Sequence, residues 1–143
     1  MTDYQRARLA FHGAIVLLVG LLCGYATVPE TVAGAERLWH TAHEALIMIG
    51  VWTLATAALF PSLTLGKREQ LGLVWSSLAT GYGLMVGVIT NAIIGVQVFE
   101  PVASAPVTYV SFTGTAVGIL GSMLTAILTI QGARASMKAA RTG

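Results

Sequence analysis

The stretch LWHTAHEALIMIG (Leu38–Gly50) places two histidines, a glutamate and a tryptophan at the threshold of a long apolar run. That run, roughly 42–63, has the length needed to cross a bilayer, for which about 20 apolar residues suffice. Three further runs of similar length lie at roughly 9–28, 71–99 and 107–131. Across the 143 residues, 55% are hydrophobic and 10% charged, and the mean hydropathy is +0.76. A soluble domain carries about a quarter charged residues, so the composition excludes a soluble fold. The sequence therefore predicts an all-α integral membrane protein, a single four-transmembrane-helix bundle over residues 1–143.

Charge placement orients the bundle. Arg6 and Arg8 precede the first span, Lys67 and Arg68 lie between the second and third, and Arg134, Lys138 and Arg141 follow the fourth. With four spans these residues share one side, while the other carries Arg37 beside Glu30, Glu36, Glu44 and Glu100. The positive-inside rule then makes both termini cytoplasmic and the protein multi-pass. The net charge of +2 is accounted for by topology, and no nucleic-acid partner is implied. The single Cys23 excludes an internal disulfide and a multi-cysteine metal cage. Gly20-Leu21-Leu22-Cys23 lacks the small residue that a lipoprotein site needs before its cysteine, so residues 9–28 are expected to be a retained span.

Connections are short. Pro29 is expected to end the first span and Pro61 the second, because proline lacks the N–H and clashes with the preceding turn. Lys67-Arg68-Glu69 reads as a tight turn, and VFEPVASAP (98–106) as a longer one. Small residues recur at helical spacing: Ser76, Thr80, Gly83, Gly87 and Asn91 in the third span, and Ser111, Gly114, Gly118, Ser122, Thr125 and Thr129 in the fourth. Such stripes let helix backbones approach closely in lipid. Four helices leave little interior room, so a sizeable ligand is expected between subunits of a homo-oligomer.

Ionisable groups inside a membrane are costly and point to function. His12 lies one turn into the first span; His43 and Glu44 lie at the opposite membrane edge. At 1.5 Å per residue, His12 and His43 are separated by roughly 24 Å along the bilayer normal, so one metal ion cannot bind both. His40 and His43 share a helix face and can serve zinc only with a further ligand such as Glu44 or Glu36. Two other readings stand beside it: interfacial histidines next to a belt residue, Trp39, or a haem ligated by one histidine. Motifs for nucleophilic catalysis and phosphate binding are absent, as is a row of charges through the bilayer. A neutral, lipophilic substrate fits best.

His12-Gly13 opening the first span, LLVGLLCGYATVP running to Pro29, Trp39 four residues before His43, and FPSL (60–63) together carry a resemblance. The chain resembles the styrene oxide isomerases and, about as well, the hydroxylaminobenzene mutases, both small four-span bacterial membrane enzymes. The specific motifs lie in the first half, while the span pattern covers most of the chain. The resemblance implies a homotrimer in the bacterial inner (plasma) membrane carrying haem b at subunit interfaces. Its iron would be bound by His43, with Trp39 and His40 packed nearby and His12 left to helix packing or a hydrogen bond. It also implies a redox-neutral isomerase, in which ferric iron acts as a Lewis acid on an epoxide oxygen and a 1,2-shift yields a carbonyl; the mutase analogue moves a hydroxyl from nitrogen to a ring carbon. Two positions depart from the isomerase pattern: Ile49 stands where those enzymes have asparagine, and Val88 where they have tyrosine. Depth suggests Asn91 and Tyr109 as replacement donors to the substrate oxygen, with Tyr82 lying too deep. Ile47, Ile49 and Val88 would line a water-poor pocket. The alternative is a haem protein of electron transfer or sensing, which favours two strong axial ligands.

Overall fold

A computed structural model describes residues 3–27, 36–95 and 106–142. Four long helices account for nearly all of them: α1 (Asp3–Tyr25), α2 (Glu36–Leu59), α3 (Lys67–Ile94) and α4 (Pro106–Thr142). Each is long and apolar enough to cross a membrane. Only 28–39% of each apolar window is buried within the chain, so most of the apolar surface faces outward, as lipid requires. The expected stop at Pro29 and residues 98–105 of the expected loop lie outside the described residues.

Helix ends differ in detail from the sequence expectation. Pro61 does end α2, through a short 3-10 turn at Phe60–Ser62. Lys67-Arg68-Glu69, expected as a turn, is the first turn of α3. The preceding Gly66 is extended and donates its N–H to Glu69 Oε2 (2.7 Å), which fixes the start of the helix. At the other end Gly95 adopts φ 70° and caps the helix through N–H to Asn91 O (3.0 Å), a conformation that favours glycine. The fourth span was expected to end near 131, yet α4 runs for 37 residues, about 55 Å at 1.5 Å per residue. Arg134, Lys138 and Arg141 end the apolar run, but arginine, lysine and alanine are strong helix formers and do not end the helix. The extension has a structural use. Ser136 Oγ accepts the Thr64 N–H (2.9 Å) and lies 2.7 Å from the Ser62 carbonyl, clamping the α2–α3 turn onto α4.

The bundle is two antiparallel pairs, α1–α2 and α3–α4, joined through α3. Glycines set the close approach in both. A Cβ at Gly50 would come 2.6 Å from Leu17 N, and one at Gly83 2.6 Å from Gly118 N. The polar stripe completes the α3–α4 seam with a buried Ser76–Thr125 hydrogen bond of 2.8 Å. Ser122 and Thr129, grouped with this stripe in the sequence, bond to carbonyls of their own helix. Gly121 faces Ser76 and Thr80 instead.

One apolar core, around Leu9, Phe60, Leu73, Val74 and Leu128, lies toward the basic end. The other, around Val16, Cys23 and Leu46, lies toward the opposite end and takes in Trp39, Ile49, Met85, Val88 and Ile89. This second core positions the candidate site.

Candidate functional site

Because α2 begins at Glu36, Trp39, His40 and His43 all stand on one continuous helix. The His43 ring, half-buried, rests against α1, with Nδ1 2.8 Å from the Gly20 carbonyl oxygen. A carbonyl can only accept, so Nδ1 carries the proton and, in the neutral ring, Nε2 keeps its lone pair. That is the arrangement found for metal-ligating histidines, whose other nitrogen donates to a carbonyl or carboxylate. Gly24 makes the seat: a Cβ there would come within 2.9 Å of both Cε1 and Nδ1 of His43. Gly20 and Gly24 lie four apart on one face of α1, and they are not among the site residues expected from the sequence. Their spacing was the available signal. On the reading of His43 as a haem ligand, Gly24→Ala is expected to tilt the imidazole and lower affinity for added haem by about 10- to 100-fold, the usual cost of disturbing the partners of a ligand. Spectrophotometric haem titration measures it, and an unchanged titration would remove Gly24 from the site.

Trp39 turns inward onto the second core, and its buried indole Nε1 has no hydrogen-bond partner among the described residues. Ile49 and Val88, the two apolar departures, pack in the same core. Ile49 also lines an open groove of about 380 Å³ with Met48, Trp52, Thr80 and Met123, so it touches both the Trp39 cluster and that groove. His40 points outward, 4.0 Å from Glu36 as an exposed pair. Among the described residues no three His, Cys, Asp or Glu side chains gather to hold a metal ion, which leaves the zinc reading of His40 and His43 without its further ligand.

The remaining candidates lie elsewhere. Asn91 is buried in the α3–α4 seam, where Ser111 Oγ hydrogen-bonds its Oδ1 and lies 3.0 Å from Gly87 O. Tyr109 is 68% exposed on the outside of α4. It shares a groove of about 510 Å³ with Tyr82, Val86 and Thr113. Tyr82, set aside as too deep, bonds through its hydroxyl to His12 Nδ1 at 2.7 Å. The hydrogen bond expected of His12 is therefore present, and its partner lies on α3.

With this geometry in hand, the profile of the family described as styrene oxide isomerase matches residues 5–134. The chain belongs to the styrene oxide isomerase family. No curated protein matches it. The matched region runs from the first turn of α1 to Arg134 in α4 and contains His43, Trp39, Asn91 and Tyr109. Family membership makes isomerase-type chemistry the functional class.

Proposed function

We propose that the protein is a haem-b-dependent membrane isomerase that carries out a redox-neutral 1,2-rearrangement of a small lipophilic substrate. That substrate is an aryl epoxide converted to a carbonyl, or an arylhydroxylamine converted to an aminophenol. The observation that carries this reading is His43, whose Nδ1–H is committed to the Gly20 carbonyl and whose Nε2 is left to ligate. His43 would hold the iron and Trp39 would pack beside it, its buried N–H, without a partner among the described residues, being a donor that a bound group can satisfy. When bound, the ferric haem supplies a Lewis acid for the substrate oxygen.

The protein's own residues do the rest. Ile47, Ile49 and Val88 keep water from the opened substrate, whose capture would give a diol. The groove beside Ile49 gives a lipophilic molecule a way in from the bilayer. Ser111 occupies the Asn91 carbonyl oxygen and leaves the amide N–H group to donate to the substrate oxygen. The Tyr109 hydroxyl is the second donor. His43 lies at the α1–α2 face, whereas Tyr109 is exposed on α4. A homotrimer in the bacterial inner membrane, bringing the α3–α4 face of one subunit to the α1–α2 face of the next, accommodates both.

Membranes containing the haem-loaded protein are expected to turn over styrene oxide or phenylhydroxylamine without added nicotinamide or oxygen. A requirement for an external electron donor would overturn the redox-neutral assignment. A six-coordinate low-spin ferric spectrum, unresponsive to added ligands, would mark electron transfer or sensing instead.

A further inference from the structure

At the basic end of α1, Tyr4, Arg8 and His12 follow at four-residue spacing and line one groove of about 380 Å³ with Ala7 and Phe11. All three polar groups are donors there. The Arg8 guanidinium carbon lies over the Trp75 ring, 4.7 Å from its centroid. A guanidinium held over an aromatic ring still presents N–H donors to an anion, and among the described residues no carboxylate pairs with Arg8. His12 accepts from Tyr82: a phenol is a stronger donor than an imidazole N–H, so Tyr82 Oη donates to Nδ1 and the ring proton resides on Nε2. The Tyr4 hydroxyl is exposed beside them. The nearby carboxylate, Asp3, lines a different groove with Arg6, against Leu54 and Ala57 of α2.

Away from the basic end, the same face of α1 continues as Phe11, Leu18 and Leu22, all exposed. Their positions follow Tyr4 by 7, 14 and 18 residues, which at 3.6 residues per turn returns to nearly one line. A cluster of donors thus opens onto an apolar lane at the border of a membrane span. Free phosphate has no use for the lane, and a zwitterionic lipid brings a positive charge to Arg8. We propose that this groove seats the headgroup of an anionic phospholipid. Arg8, His12 and Tyr4 hold its phosphate, and an acyl chain lies along Phe11, Leu18 and Leu22. The positive-inside rule places the site in the cytoplasmic leaflet.

The test is native mass spectrometry of the detergent-solubilised, haem-loaded protein titrated with phosphatidylglycerol or phosphatidylcholine. Phosphatidylglycerol adducts are expected at several-fold lower lipid concentration. Arg8→Gln should weaken phosphatidylglycerol binding on the order of fivefold, the usual contribution of one arginine near an anionic headgroup. Tyr4→Phe changes an exposed side chain outside the packed core and should produce a smaller fall with the melting temperature unchanged. His12→Gln retains an acceptor for Tyr82, so weaker binding in a variant that melts like wild type also counts for the site. Equal retention of the two lipids overturns the proposal, whether the cause is a bare groove or a second copy of the chain covering it. So does an undiminished preference in both Arg8→Gln and Tyr4→Phe. Displacement of the lipid by millimolar inorganic phosphate would assign the donors to a free anion and overturn it equally.

Discussion

Replacing His43 with alanine is expected to remove both the Soret band of the haem-reconstituted protein and its isomerase activity. The imidazole is anchored by one hydrogen bond from Nδ1 to Gly20 O and by contact with Gly24. Its removal deletes the proposed ligand and leaves the backbone of α2 intact, since alanine is the best helix former. The fold should survive, and far-ultraviolet circular dichroism of the variant should match wild type. Loss of an axial ligand is a larger change than loss of that ligand's hydrogen-bond partner, which typically costs 10- to 100-fold, so activity should fall by more than about 100-fold. The vacated space between Gly20, Gly24 and α2 is imidazole-shaped, and added imidazole should restore part of the absorbance. A colourless wild-type protein, or a variant whose Soret band is unchanged in position and intensity, would remove His43 as the ligand.

The second large effect is expected at Asn91. Asn91→Ala removes an amide donor proposed to face the substrate oxygen, and loss of one such donor in an oxyanion hole costs on the order of 100- to 1000-fold in rate. The appropriate comparison is Ser111→Ala, which breaks the same α3–α4 hydrogen bond from the other side and leaves the amide in place. Each substitution should cost roughly 0.6 kcal/mol of stability, the average found for interhelical hydrogen bonds in a membrane. Only Asn91→Ala should lower kcat steeply. If both variants lose stability alike and both keep full kcat, Asn91 serves the helix seam alone. Tyr109→Phe, far out on α4, tests the second donor by the same measurement and should leave stability unchanged.

The sequence by itself determined the fold class. A span needs about 20 apolar residues, and a chain with four such runs and 10% charge has no soluble alternative. The small-residue stripes likewise signalled close helix approach, which Gly83, Gly118, Ser76 and Thr125 make in the α3–α4 seam, whereas Ser122 and Thr129 bond within α4. His43 stood out for the same reason: an ionisable ring at a membrane edge is conspicuous in one dimension.

What the ring does was not visible there. Its tautomer depends on a carbonyl of another helix, 23 residues away, and every residue type carries that carbonyl. Hydropathy could not place the end of α4, since charge stops an apolar run without stopping backbone hydrogen bonding. Depth counted along single helices made Tyr82 look remote and Asn91 accessible. The structure instead pairs Tyr82 with His12 and ties Asn91 to Ser111. Depth along the bilayer normal is a property of each helix alone. The side of the bundle a residue faces follows from how four helices rotate against one another, and that rotation is set by the tertiary contacts of glycines such as Gly20, Gly24 and Gly83.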